Sequence, residues 1–229
     1  MANKKTNHND SNFENVESAL TRAELFIEKN QKRITYVLLA LVIVVFGYFG
    51  YNKFVVQPKS EIALEDIFIA ERYFEQDSFQ LALEGDGVNY GFLDIIDNYK
   101  RTPAGNLAFY YAGISYLNLG EFEAAIEYLN RFSAEDVMLE ANAIGAIGDA
   151  YLELDDLSAA VKRYEKAAKV ADNEFLSPIF LMKAGETYEM DGQYQKALDI
   201  YNRVETEYYG TREQRNIEKY QARVEMKMQ

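Results

Sequence analysis

The sequence predicts an all-α protein in which a single transmembrane helix precedes a helical solenoid. The first observation is an uncharged block of the 229-residue chain, residues 34–52, bounded by Ile34 and Asn52. The second is a pattern of small and aromatic residues that occurs three times within residues 106–210. Such a repeat is typical of solenoids, in which each unit covers the apolar face of its neighbour.

The uncharged block has the length of a membrane span. At ~1.5 Å per residue its 19 residues cover roughly 28 Å as a helix, close to the ~30 Å hydrocarbon core of a bilayer. A buried core helix would carry a polar stripe, which residues 37–46 lack. A cleaved signal peptide is disfavoured by the 33-residue arm ahead of the block and by the absence of a small-residue cleavage site in residues 47–51. Tyr36, Tyr48 and Tyr51 suit the membrane interfaces, so we expect a retained anchor.

The charges flanking the block predict its orientation. Lys29, Lys32 and Arg33 precede it, whereas only Lys53 and Lys59 follow closely. Residues 60–229 carry 16 basic and 32 acidic side chains. Because basic flanks stay in the cytoplasm, we expect a bacterial inner-membrane protein with a cytoplasmic N-terminus and an acidic periplasmic domain.

The arm ahead of the anchor divides into two parts. Residues 1–10 are polar and predicted to be a disordered tail. Ser11 and Glu14 form a capping-box pattern, which predicts a cytoplasmic amphipathic helix over residues 11–33. This helix would either lie on the lipid headgroups or dock onto a membrane partner. The candidate docking residues share one apolar stripe: Phe13, Val16, Leu20 and Ile27.

Three glycines set the phase of the repeat. Each is preceded by an apolar residue four positions earlier, and is followed by tyrosine after three positions, alanine after twelve and a large side chain after sixteen. The three copies are Phe109, Gly113, Tyr116, Ala125 and Leu129; Ile144, Gly148, Tyr151, Ala160 and Tyr164; and Leu181, Gly185, Tyr188, Ala197 and Tyr201.

This pattern resembles the tetratricopeptide repeat (TPR). The spacings between copies are 35 and 37 residues, against 34 in the family consensus. Gly120, Asp155 and Gly192 stand at the turn within each copy, while the proline that the consensus places at the end of a repeat is missing. The resemblance implies helix pairs that approach closely at the small residues, with aromatic rings filling the remaining space.

The regions flanking the three copies are predicted to complete the solenoid. Pro58 is expected to end the preceding helix, and residues 60–105 are interpreted as a degenerate repeat with helices at 61–76 and 92–99. A long loop with glycines between 85 and 91 is expected to replace the tight turn of that pair. Ser177 and Pro178 predict the start of the third copy, and residues 211–229 a capping helix.

The composition argues against catalysis and against a metal or cofactor. The only histidine is His8, in the predicted tail, and cysteine is absent, which excludes thiolate sites and histidine-based triads from the folded domain. Residues 84–91 match neither a calcium loop nor a phosphate loop, because Val88 occupies an expected ligand position and no Gly-Lys-Ser/Thr follows. The acidic balance disfavours nucleic acid, and no small-molecule substrate is indicated.

The TPR resemblance implies a groove built from the first helix of each pair. Its candidate lining residues are Tyr110, Ile114, Leu117, Asp149, Leu152, Met182, Glu186 and Glu189. TPR domains that clamp a terminal carboxylate use lysine, asparagine and arginine at these places, and here only Lys183 matches. The expected ligand is therefore an extended or helical segment with apolar and basic residues.

The layout of a short cytoplasmic helix, one span and a few exported repeats resembles the YfgM-like family of ancillary SecYEG translocon subunits. That resemblance implies translocon subunits, exported polypeptides or chaperones as partners. A scaffold for an outer-membrane or secretion complex is an alternative within the same class. An enzyme or ligand-gated sensor is the alternative from a different class.

Overall fold

The computed structural model describes the backbone of residues 7–229 and the side chains of residues 28–229. The chain divides after Val56 into two units. The first contains the helix α1, Asn7–Tyr51, followed by a π-helical segment, Asn52–Val56. Because α1 already includes the residues before Ser11, the predicted capping box does not start it. No glycine or proline separates Asn7 from Ser11, so the helix extends further towards the N-terminus than the local cap signal indicated.

The apolar part of α1 is exposed along its length, including every residue from Val37 to Val45 with a large side chain. Among the described residues, one helical stretch, Glu28–Glu75, is long and apolar enough to cross a membrane by length and composition. The predicted candidates Phe13, Val16, Leu20 and Ile27 lie outside the residues whose side chains the structure describes.

Pro58 does not end a helix, contrary to the prediction. It is the second residue of α2, Gln57–Glu75, and π-helical residues lie immediately before that helix. Proline has no N–H to donate, and its ring crowds the carbonyl four residues earlier, so a helix that continues through a proline is locally distorted. The π-helical segment just ahead of Pro58 is such a distortion, and the helical conformation continues through it.

The second unit is a row of antiparallel helix pairs, in which each helix packs on the next. Short turns join the helices of a pair, which places them side by side with opposite directions. The first helices of the pairs are α2, α5 (Pro103–Leu119), α7 (Val137–Glu153) and α9 (Ser177–Met190). The second helices are α3 (Phe79–Glu84) with α4 (Phe92–Tyr99), α6 (Phe122–Arg131), α8 (Leu157–Ala171) and α10 (Tyr194–Glu207). A 3-10 turn, Gln214–Asn216, and α11, Ile217–Lys227, follow.

The glycine of each copy is the point of closest approach within its pair. A Cβ atom on Gly148 or Gly185 would lie 2.6 Å and 2.4 Å from the ring of Tyr164 and Tyr201, respectively. The same atom on Gly113 would lie 2.5 Å from Leu129. The residue sixteen positions after each glycine therefore occupies the space of the missing side chain, as the TPR resemblance implied.

The first pair keeps the tight turn that it was expected to lack. Asp77 has a positive, left-handed φ of 55°. The residues at the equivalent turns of the other pairs, Gly120, Asp155 and Gly192, also have positive φ. The long loop, residues 85–91, instead interrupts the second helix between α3 and α4. Asp86 holds that loop, because its carboxylate accepts hydrogen bonds from the backbone of Val88 and Asn89 and from the Tyr73 hydroxyl. Gly85 and Gly87, both with positive φ, allow the chain to leave the helix there.

The start of the third copy also differs by one residue. Ser177 is the first residue of α9 rather than its cap, and it is buried. Its hydroxyl donates to the Ala168 carbonyl and accepts from the Asn173 backbone, which joins α8 to α9. At the other end of the solenoid, Ile217 and Val224 of α11 are buried against the third pair, which places α11 as a cover over its apolar surface.

Candidate protein-binding surface

The first helices of the pairs form one face of the solenoid, which we call the first-helix face. Tyr110, Ile114 and Leu117 of α5 are half-buried there and pack over a small core formed with Leu129 and Ile147. The Tyr110 ring lies 5.4 Å from the ring of Phe132, and burial raises the pKa of its hydroxyl. These three side chains present apolar surface while remaining anchored by packing.

Asp149 of α7 lies on the same face but is already paired. Its carboxylate accepts hydrogen bonds from Lys183 Nζ at 2.7 and 2.8 Å and from the Tyr164 hydroxyl at 2.7 Å. Burial, then the adjacent Asp149 charge, raises the pKa of Tyr164 well above its usual value. Lys183, the one residue that matched a carboxylate clamp, is therefore held by an internal partner.

Glu189 of α9 is buried within a second network. Its carboxylate accepts the Tyr201 hydroxyl at 2.6 Å and two N–H groups of Arg223, while Lys227 lies 3.4 Å away. Burial by itself would raise the pKa of Glu189, but these hydrogen bonds outweigh it and lower the pKa below its usual value. The side chain thus joins α9 to α11 and is not available at the surface.

The remaining predicted groove residues differ in how far they are exposed. Leu152 of α7 is half-buried and packs beside the core of the second and third pairs, and Glu186 is exposed. Met182 is buried among the third-pair residues. The structure therefore brings the α5 residues, Leu152 and Glu186 to the accessible part of the face, and it places Met182 and Glu189 beneath it.

Sequence reasoning missed the contribution of α2. Leu64 and Phe68 are 59% and 58% exposed, and they stand six and two positions before Ala70, as Leu107 and Tyr111 stand before Gly113. The signal was present, because Ala70 is followed by Tyr73 after three positions and by Ala82 after twelve, in the same phase as the glycines. Alanine can replace glycine here because the residue sixteen positions later is Asp86, which lies in the loop.

Adjacent first helices share a polar contact on this face. Glu71 of α2 accepts a hydrogen bond from Tyr111 of α5, and burial with the nearby Glu75 charge raises the pKa of Glu71. Asp149 and Lys183 occupy the corresponding positions of α7 and α9. The acidic residue one position after the small residue thus reaches across to the next helix in both places, which keeps neighbouring first helices in register.

The chain is similar to known repeat proteins. Residues 107–136 and 146–209 match models of the tetratricopeptide repeat. A TPR repeat-containing protein of Methanocaldococcus jannaschii, MJ1428, is 27% identical over 113 residues, which cover 49% of this chain and 19% of that relative. This chain therefore spans about a fifth of the relative's length.

Two solved structures share the fold. Crystal structures of nearly identical TPR-like repeats of a putative kinesin light chain from Podosopora anserina, one of them a point variant, superpose with a TM-score of 0.56 at 14% identity. The superposition covers 74% of this chain and 87% or 88% of those chains. The all-helical repeat solenoid is confirmed by these matches, which at this identity concern the fold alone.

Proposed function

We propose that this chain is a tetratricopeptide-repeat protein and acts as a membrane-anchored scaffold. In this proposal, it holds other proteins on its first-helix face. The observation that carries the proposal is the half-buried apolar row of Tyr110, Ile114 and Leu117 on α5, to which α2 adds the exposed side chains of Leu64 and Phe68. Large exposed apolar patches on soluble domains mark interaction sites. Residues 34–52 would hold the scaffold in the inner membrane.

The chemistry of the face favours a protein segment with apolar and basic residues. Glu71, Glu75 and Glu186 place negative charge beside the apolar side chains. Asp149 neutralises Lys183, so the face offers little to a terminal carboxylate. A basic amphipathic helix or extended segment would match both features.

The proposed location of the solenoid is the periplasm, with translocon subunits, exported polypeptides or chaperones as partners. The basic flank at Lys29, Lys32 and Arg33 and the acidic solenoid support this orientation. The resemblance in layout to the YfgM-like family supports the translocon. An assembly scaffold for an outer-membrane or secretion complex is the second candidate, since it would use the same anchor and face.

Capture of partners by the full chain, solubilised with its anchor in mild detergent, tests the proposal. We expect Phe68→Asp to reduce the captured partner several-fold, because the charge interrupts the apolar surface. Met226→Asp is the matched control, since Met226 is equally an exposed apolar residue but lies on α11. Equal capture by both variants would remove the first-helix face from consideration.

The identity of the captured proteins separates the two candidates. Translocon subunits support the first, whereas outer-membrane assembly proteins alone support the second. Deleting residues 11–30 tests the N-terminal helix, because loss of capture would show that it docks onto a partner rather than resting on lipid. Orientation is tested by labelling with a membrane-impermeant maleimide, since the chain has no native cysteine. We expect Ser78→Cys to be labelled from the periplasm and Ser11→Cys to be protected.

A further inference from the structure

The helix α6 is shorter than the second helices of the pairs that follow it. It has 10 residues, whereas α8 has 15 and α10 has 14. All three begin nine residues after the glycine of their copy, so the difference lies at their C-terminal ends. In α8 the corresponding last residues, 167–171, bury Ala168 and Ala171 against the next pair. The turn that would make the equivalent contact is missing from α6.

The chain that follows α6 is held against α5. Phe132 ends the helix with an extended backbone. The Asn106 side chain of α5 accepts a hydrogen bond from the Ser133 N–H at 3.1 Å and donates one to the Ser133 carbonyl at 2.7 Å. The Asp136 carboxylate then accepts from the Leu139 N–H at 2.8 Å and caps α7. Because the segment is fixed at both ends, the space left by the missing turn stays open.

A cavity of about 190 Å³ lies at this place, between α6, α7 and α8, and we call it the α6 cleft. Leu129 and Phe132 line it from α6 and the segment that follows, and Ile147 lines it from α7. Arg163 and Lys166 line it from α8. Since an apolar cavity of ~150 Å³ takes a benzene ring, the α6 cleft has room for one aromatic or branched aliphatic side chain.

The α8 side of the cleft continues into a row of lysines. Lys162, Lys166 and Lys169 are exposed, and we call them the basic stripe. Residues separated by four and by three positions lie on one face of a helix, so the stripe runs roughly 10 Å along α8. Arg163 lies at its border, with its guanidinium 5.9 Å from the centre of the Tyr151 ring.

The basic stripe has no acidic partner among the side chains that the structure describes. The ion pairs within residues 28–229 use other basic residues. Glu165, the acidic residue of α8, accepts a hydrogen bond from Tyr188 at 3.1 Å. Glu140 also lines the α6 cleft, but in this described region it pairs with neither Arg163 nor Lys166. In a domain with 32 acidic and 16 basic residues, the stripe is thus left for an external partner.

The neighbouring second helices carry the opposite charge. Glu127 of α6 and Asp199 of α10 stand at the positions equivalent to Lys162. Their carboxylates would repel a broad anionic surface such as a lipid bilayer. A single acidic segment, in contrast, can lie along α8 without approaching them closely. The charge pattern therefore favours a narrow acidic partner.

We propose that the α6 cleft and the basic stripe form a second protein-binding site, which takes an acidic segment with one large apolar side chain. The apolar side chain enters the cleft, and carboxylates spaced three and four residues apart pair with the lysines of the stripe. This site lies on second helices and requires a partner of opposite charge to that of the first-helix face. The two surfaces can therefore hold two different segments at once.

The test measures binding of a synthetic helical peptide to the full chain in mild detergent. The peptide carries glutamate along one face and a single phenylalanine, and fluorescence anisotropy gives its dissociation constant. One variant reverses the basic stripe, with the changes Lys162→Glu, Lys166→Glu and Lys169→Glu. The matched control alters the total charge equally at exposed lysines elsewhere, with the changes Lys100→Glu, Lys196→Glu and Lys219→Glu.

We expect the stripe variant to raise the dissociation constant at least about tenfold, because three attractive charge pairs become repulsive, and the control to change it less than about twofold. A peptide with alanine in place of phenylalanine should bind the unmodified chain several-fold more weakly. Ala134→Trp, which fills the cleft from its rim, should remove that difference. Ala222→Trp, at an exposed position of α11, should preserve it.

No binding of the phenylalanine peptide, or equal affinities of the two charge variants, would overturn the inference. Displacement of the peptide by monomeric short-chain phosphatidylglycerol, with equal binding of the alanine peptide, would indicate an anionic lipid and also overturn it. Phe68→Asp should leave the affinity unchanged, so this site and the first-helix face stand or fall separately. Helical circular dichroism of each variant checks that the solenoid remains folded.

Discussion

At the scale of single residues, the solenoid depends on the absence of side-chain atoms at three glycines. A methyl group on Gly185 would lie 2.4 Å from Tyr201 Cε1, and both residues are buried. Alanine is favoured over glycine in a helix by up to ~1 kcal/mol, but overpacking of a tight core costs about 1–3 kcal/mol. We therefore expect Gly185→Ala to lower the free energy of unfolding by about 1–2 kcal/mol in chemical denaturation.

A second substitution separates the steric effect from helix propensity. Leucine would not relieve the contact, because Leu129 of the first copy lies 2.5 Å from the position of a Cβ atom on Gly113. In a double-mutant cycle, Gly185→Ala should cost less when Tyr201→Ala has already removed the ring. Strict additivity of the two changes would contradict the proposed clash.

Glu189 should make part of the stability dependent on pH. Its pKa is lowered in the folded state from a usual value of 4.5, because hydrogen bonds from Arg223 and Tyr201 outweigh the effect of burial. A carboxylate with a lowered folded pKa stabilises the protein above its unfolded pKa, and this stabilisation is lost as the pH falls through the folded pKa. We expect Glu189→Gln to cost on the order of 2 kcal/mol at neutral pH and progressively less below about pH 4.5.

Denaturation at several pH values measures this dependence. Glu225→Gln is the control, because Glu225 is an exposed carboxylate on α11. Its profile should follow that of the unmodified protein. An equal loss for Glu189→Gln at every pH would mean that the carboxylate does not titrate differently in the folded and unfolded states.

At the scale of elements, the second helices of successive pairs differ in how their N-terminal N–H groups are satisfied. Asp156 caps α8, accepting a hydrogen bond from the Ala159 N–H at 3.0 Å, whereas Glu121 makes no side-chain cap at the equivalent position of α6. Loss of a carboxylate cap costs about 1 kcal/mol. We expect Asp156→Ala to lower the unfolding free energy by that amount, measured by denaturation, and Glu121→Ala to have little effect. A similar cost for both would argue against capping as the cause.

The elements also show what the sequence could predict. The phase of glycine, tyrosine and alanine predicted three helix pairs because each of these residues has a steric role at a fixed distance along the chain. The prediction that Pro58 ends a helix was wrong. A π-helical segment lies ahead of this proline, and its formation depends on the surrounding backbone, which the local sequence does not reveal. The phase of the first pair was not recognised because Ala70 stands where the other copies have glycine. Leu64 and Phe68 were therefore not identified as candidate surface residues.

The candidate surface was predicted less completely than the fold for a related reason. Repeat position indicates which face of a helix a residue occupies, but not whether a neighbouring helix covers it. Glu189 has the expected position, yet Arg223 of α11, 34 residues later, and Tyr201 of α10 enclose its carboxylate. Asp149 similarly forms an ion pair with Lys183 of the next helix pair. Contacts between successive repeats therefore decide which predicted residues remain accessible.

At the scale of the whole molecule, each helix of the solenoid contacts mainly its neighbours in the row. The buried apolar residues accordingly form separate clusters, one around α2–α5 and another from α7 to α11. A smaller cluster around Leu129 and Ile147 joins them. In such a quasi-one-dimensional array, stability is a sum of repeat and interface contributions, so damage at one end should spread only gradually.

Removal of α11 tests this view of the molecule. Deleting residues 217–229 would strip the buried Ile217 and Val224 from the third pair, at a cost of roughly 2 kcal/mol each, and would leave Glu189 without Arg223. We expect hydrogen exchange to show lost amide protection in α9 and α10 and retained protection in α2 and α5, because the latter belong to a separate cluster. The variant Glu218→Gln, at an exposed position of α11, should keep protection throughout. Uniform loss across all pairs in the deletion would instead show that the solenoid unfolds as a single cooperative unit.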